Sequence, residues 1–198
     1  MRIIIYIYSC FRLYNIQIES HTMERPSVFK DLNFWAALII ILVTTVLSIA
    51  TFFRWIRLRF QVGPFYFTHW LGWMGSIFIA LYTPIYYILK RRNPRLVKPL
   101  IKIHVFGNLL AVMLVSIHYA QQMGRPAQFY PELGTGLTLY IVMFILVATG
   151  FLHRFGILDR LGRYRIFLPH QNRFLHIAIT LTFYIVIIVH ALRNVGIL

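Results

Sequence analysis

Four of the eight histidines in this chain stand where their spacing could do chemistry. His104 and His118 lie in the apolar stretch Ile101–Gln121, and His176 and His190 in the apolar stretch Asn172–Ala191. Each pair is separated by 14 residues. Fourteen steps of about 100° fall only about 40° short of whole turns, so both histidines of a pair share a helix face, roughly 21 Å apart along the axis. Two such helices side by side could clamp two flat cofactors stacked across a membrane, each between two imidazoles. That is the geometry of a two-haem b-type cytochrome. Haem iron with two axial imidazoles is six-coordinate and suits electron transfer better than oxygen chemistry.

The residues between the candidate ligands fit that reading. The face of the first helix reads His104, Gly107, Asn108, Ala111, Val115, His118, with Gly107 and Ala111 small enough for a porphyrin edge to approach the backbone. The face of the second reads His176, Ile179, Thr180, Phe183, Ile187, His190, an apolar wall with one hydroxyl. Lys102 and Arg173 stand just outside the His104/His176 pair, where they could neutralise haem propionates; interfacial snorkelling accounts for them equally well. A lone membrane histidine is often only hydrogen-bonded inside a bundle. Unpaired imidazole in hydrocarbon is costly, however, and two matched pairs point to an occupied role. His69 and His153 could bond a propionate, relay a proton or line a quinone pocket, against plain interfacial packing. His170 reads as the exposed entry to the last helix.

These histidines need helices to hold them, and the composition supplies membrane helices. The 198 residues are 59% hydrophobic and only 13% charged, and apolar runs of about 20 residues recur. Five spans are expected: 33–53, with Asp31 and Asn33 as candidate N-caps; 65–89, kinked near its end by Pro84; 100–122; 134–152, opening with the flexible Gly134-Thr-Gly136; and 172–192. Residues 1–22 differ from the rest. Their apolar run Ile3–Tyr8 is too short to span, and Met23 reads as the native start after a non-native or disordered extension, the alternative being a short interfacial anchor. Cys10 and His21 carry no assigned role.

Five spans alternate sides, so the loops report orientation. One side holds 12 Lys and Arg, in residues 23–32, 90–99 and 154–173; the other holds five, Arg54, Arg57, Arg59, Arg125 and Arg193. This predicts a cytoplasmic N-terminus and an external C-terminus. The third and fifth spans then run parallel, so His104 meets His176 near the inner face and His118 meets His190 near the outer face. The net charge of +15 belongs to these loops, which makes nucleic acid a poor partner.

Other chemistries find little to build on. A single cysteine cannot make a disulfide, a cysteine zinc site or an iron–sulfur cluster from this chain alone, and there is no C-x-x-C-H motif for c-type haem. No glycine-rich nucleotide fingerprint is present, so electrons must come from another molecule. The five acidic residues all fall outside the spans, so no acidic proton relay is evident.

The segment Arg173-Phe-Leu-His176 through His190-Ala-Leu resembles the Arg-x-Leu-His…His pattern of the ferric reductase-like transmembrane domain, whose members include ferric reductases and NADPH oxidases. Paired histidines on the third and fifth spans are similar too, and the resemblance covers roughly residues 65–195. Many members of that family space the second pair by 13. Fourteen in both helices is closer to the cytochrome b of quinol-oxidising complexes, where the helices are differently placed in the chain. The flavin and nicotinamide domain of the oxidases is missing, which favours a subunit or a partner-dependent electron carrier.

The sequence therefore predicts an all-α polytopic membrane bundle. Residues 23–64 form the first span and a basic turn, and residues 65–198 a four-helix bundle around two non-covalent b haems. The implied function is electron transfer between a flavoprotein, dehydrogenase subunit or quinol and an acceptor, as an oxidoreductase component. The rival is a structural or assembly subunit of a larger complex. A small transporter is the weakest reading, since no repeat and no intramembrane acid is visible.

Overall fold

A computed structural model describes residues 28–126, 133–157, 169–194 and 196–197. The expectations for residues 1–22, Met23, Cys10 and His21, and for loop residues 127–132 and 158–168, lie outside the described residues. The chain divides into two compact units, residues 1–32 and 33–198. The described part of the first is a 3-10 turn at Val28–Lys30 and the first residue of a helix.

Among the described residues, the rest is helices joined by turns and one short hairpin. Helix α1 runs over Leu32–Phe52, strands β1 and β2 over Gln61–Val62 and Phe65–Tyr66, α2 over Phe67–Arg92, α3 over Val97–Met123, α4 over Leu133–Arg154 and α5 over Pro169–Asn194. All five helices are long and apolar enough to cross a membrane, as the sequence predicts. Most of their ends extend past the expected spans by up to three residues, but α1 stops one residue short and α2 starts two residues late, because Phe65–Tyr66 pair as a strand; α5 takes His170 into its first turn. Several hydroxyls inside these helices bond to their own backbone, which hides them from an apolar surround: Thr44 donates to Ile40 O at 2.7 Å, and Thr180 to His176 O at 2.7 Å.

Helix α1 ends where Arg54 adopts a left-handed φ of 62°, with its N–H on Thr51 O at 3.1 Å and the Trp55 N–H on Ala50 O at 2.8 Å. This is a Schellman cap with arginine at the position glycine usually takes. The side chain explains the choice, because Arg54 Nε donates to Gly124 O at 2.8 Å and so caps the end of α3 as well. The hairpin that follows turns at Gly63 (φ 62°) and Pro64, pairing Val62 with Phe65. Trp70 closes over it, Nε1 donating to Val62 O at 2.8 Å.

Helices α2 to α5 form a ring. The Asn93–Leu96 turn folds α3 back along α2, and α4 and α5 make a second antiparallel pair. Small residues let α2 and α3 approach closely: a Cβ at Gly75 would lie 2.6 Å from Ala111 O. Helices α3 and α4 touch more lightly. The ring closes from α5 to α2 by a specific bond. Pro84 lacks an N–H, which leaves the carbonyl of Ala80 without its helical donor, and the Tyr184 hydroxyl donates to that carbonyl at 3.0 Å. Helix α2 continues through Pro84 to Arg92.

This order puts α3 and α5 diagonally across the ring rather than side by side as the sequence reading has them. Diagonal axes in a four-helix ring are roughly 11–14 Å apart when neighbours pack at 8–10 Å. The shared core comes from all four helices: Ile79, Ala111, Val115, Leu139, Met143 and Phe183. Ala111 and Val115 lie between the two histidines of α3, and Phe183 lies between those of α5, so an apolar layer separates two histidine levels.

The Tyr184 bond carries a prediction. Tyr184→Phe should lower stability by about 1–2 kcal/mol, since it strands a half-buried carbonyl. Adding Pro84→Ala, which returns a backbone donor to Ala80 O, should remove most of that loss. Thermal unfolding of the four proteins in one detergent measures the coupling, and additive losses would refute it.

Candidate functional site

Every candidate ligand histidine sits on α3 or α5 and takes a polar partner at Nδ1. For His118 the partner is Thr68 O on α2, at 2.9 Å. For His176 it is Thr149 Oγ1 on α4, at 3.0 Å, and for His190 it is Thr135 Oγ1 on α4, at 3.1 Å. For His104 it is the amide of Asn108, one turn on in α3, at 3.2 Å. A histidine fixed at Nδ1 has Nε2 left to ligate with, and this is how metal-bound imidazoles are usually oriented.

The chemistry of the partners sets two of the tautomers. A carbonyl oxygen can only accept, so His118 carries its proton on Nδ1 and a lone pair on Nε2. Thr149 spends its one hydroxyl proton on the helix carbonyls of Ile145 (2.9 Å) and Leu146 (3.0 Å), so toward His176 it accepts. His176 is therefore also a Nδ1–H donor with a lone pair on Nε2, the form that binds a metal. At His104 the Asn108 Nδ2 is turned toward the ring, while Asn108 Oδ1 is buried with no partner among the described residues. Rotating the amide by half a turn puts that oxygen on the ring and gives His104 the same tautomer.

Small residues pack closely against three of the rings, whereas at Gly107, expected to admit a porphyrin edge, the space is taken by the Phe78 ring. A Cβ at Gly72 would lie 2.9 Å from His118 Cγ, one at Gly150 3.2 Å from His176 Cε1, and one at Gly136 3.5 Å from His190 Cε1. His104 instead stacks on Tyr86, ring centroids 4.4 Å apart and 13° from parallel. These neighbours repeat the ligand spacing on the opposing helices. Gly72 and Tyr86 are 14 apart on α2, and Thr135-Gly136 and Thr149-Gly150 are 14 apart on α4. The sequence reading noted Gly134-Thr-Gly136 only as a flexible helix start and missed its echo at Thr149-Gly150. A search for polar-plus-small residues at the ligand spacing would have found it.

His176 lies near enough to His104, and His190 near enough to His118, for each pair to interact electrostatically. Each level holds a third histidine: His69 lies 5.3 Å from His118 between ring centroids, and His153 bears on His176. Lys102 and Arg173, the expected propionate partners, are both exposed. The cation that bears on His104 is Lys90, whose Nζ lies 5.6 Å from the centre of the Tyr86 ring stacked on that histidine. Among the described residues no three of His, Cys, Asp and Glu gather as a metal-binding group, so each level offers two imidazoles and a third nearby.

Thr149→Val should cost about 1–3 kcal/mol by leaving the buried Nδ1–H of His176 unpaired, and Thr149→Ser should restore it. The exposed Thr138→Val should stay within about 0.5 kcal/mol of the parent in the same unfolding assay; equal losses at 138 and 149 would refute the role given to Thr149. Compared with known proteins, the chain matches no family model, no curated protein and no solved structure.

Proposed function

We propose that this protein is a two-haem b-type membrane cytochrome that carries electrons across or within the membrane between a redox partner and an acceptor. The observation that carries the reading is the hydrogen bond at Nδ1 of all four histidines, which sets the tautomer at His118 and His176, repeated at two levels 14 residues apart on diagonal helices. A structural histidine needs any satisfied arrangement; His118 and His176, one at each level, keep a lone pair on Nε2 for a ligand. Gly72, Gly136 and Gly150 let the neighbouring helices lie against three of these rings and so hold the imidazoles in place.

In this reading His104 and His176 hold the inner haem and His118 and His190 the outer one. When bound between two imidazoles, haem b supplies a one-electron ferric/ferrous couple. Thr68, Asn108, Thr135 and Thr149 orient the imidazoles, and the layer of Leu139, Met143 and Phe183 keeps water out between the levels. The basic loops favour a cytoplasmic N-terminus in a cell membrane, with the electron donor a flavoprotein, dehydrogenase subunit or quinol. Lipid faces the exposed apolar side of α1, of which only Ala37, Ala50 and Thr51 are buried.

The structural-subunit reading keeps one observation, that every one of these imidazoles already has a partner inside the bundle. Ligand removal separates the two. Haem counted per chain should fall from about two to one in His104→Ala, in His176→Ala and in their double variant alike. The same should hold for His118→Ala, His190→Ala and their double. One substitution from each level should remove both haems. A folded quadruple His→Ala variant with unchanged haem content and activity would support the structural role instead.

A further inference from the structure

We propose that the end of the bundle bearing His118 carries a carboxylate-binding site built from Thr68, His69, Gln122 and Arg125. Three buried polar atoms that make no hydrogen bond of normal geometry among the described residues belong to residues beside His118 or one turn from it: Thr68 Oγ1, His69 Nδ1, with the Tyr66 backbone nearby, and Gln122 Nε2. Thr68 is only 1% exposed, so no bulk water reaches its hydroxyl. Burying such groups unpaired costs free energy, and so many at one place ask for a ligand.

All three are tied to His118. Thr68 holds that histidine through its own carbonyl, the His69 ring meets the His118 ring at 62°, and Gln122 follows His118 by one turn on the same face of α3. The charge of Arg125, just past the end of α3, bears on both His69 and His118.

The donor character selects the ligand. The Gln122 amide nitrogen and the Arg125 guanidinium only donate, and the Thr68 hydroxyl and His69 Nδ1 can donate. A flat, anionic, two-oxygen acceptor answers all four, which is a carboxylate. Helices α2 and α3 contain no Asp or Glu to supply one. Two sources share this chemistry: a propionate of a haem held by His118, or a free small carboxylic acid. The propionate source rests on the haem reading; the site itself rests on the unpaired donors and the nearby Arg125.

The test is haem transfer from the detergent-purified, haem-loaded protein to excess apomyoglobin. In Arg125→Gln and Gln122→Leu one of the two haems should leave roughly tenfold faster than in the parent, the worth of one charge-assisted hydrogen bond. Parent protein loaded with haem dimethyl ester should show the same acceleration, with no further effect of Arg125→Gln. A variant effect of full size with the ester overturns the propionate source.

A parent that takes up no haem defeats the haem reading, and the site is then judged on the haem-free protein with succinate. A succinate-dependent rise in the unfolding midpoint, lost in Arg125→Gln, supports it; no rise overturns it. Glu132→Gln is the control for an internal carboxylate. If it alone reproduces the Arg125→Gln behaviour, the chain fills the site itself and the proposal fails.

Discussion

A neutral imidazole in an apolar helix bundle has one N–H and one lone pair, and neither can be left to water. Placing the N–H on a fixed acceptor decides which nitrogen faces inward, and much of this structure follows from that requirement. The acceptors are short-range features of neighbouring helices: a peptide carbonyl on α2 and threonine hydroxyls on α4. They work only if each neighbour runs antiparallel to its histidine helix and in register with it. The shared 14-residue spacing on all four helices is the record of that register.

The same requirement explains why glycine rather than a larger residue flanks three of the rings. The helix carrying the acceptor must come close enough to reach Nδ1, and at Gly72 and Gly150 even a methyl group would press on the imidazole. Close approach on these two interfaces is set against looser contact between α3 and α4. The two hairpins thus behave as similar halves, each bringing one histidine to each level. Tyr184, reaching across to the carbonyl that Pro84 leaves open, ties the halves together at the depth of the apolar core. Helix α1 stands partly apart, and its strained Arg54 trades local backbone comfort for a cap on α3.

The five helices and the shared face of each histidine pair were legible in the sequence because both are periodic: long apolar runs, and polar residues recurring at whole turns. What could not be read has no periodic signature. Whether α3 and α5 are neighbours or diagonal depends on packing of small residues such as Gly75 and on one hydroxyl of Tyr184, and neither shows in a hydropathy pattern. Lys102 and Arg173 adjoin the candidate ligands along the chain and are exposed in the fold. Lys90, which the sequence does not single out, lies over the Tyr86 ring stacked on His104, because the α2–α3 turn brings the end of one helix beside the start of the next. Thr135 and Thr149 were hidden for another reason: a threonine in a membrane helix ordinarily bonds its own backbone, and only the facing histidine gives it a second role.

The central claim is that the paired imidazoles are ligands rather than packing. The most direct measurement is a dithionite-reduced minus oxidised optical spectrum of the protein purified in detergent from cells with ample haem, with a pyridine haemochrome assay on the same sample. The account predicts sharp low-spin b-type bands and about two haems per chain. A folded, monodisperse preparation with no haem absorbance would contradict it.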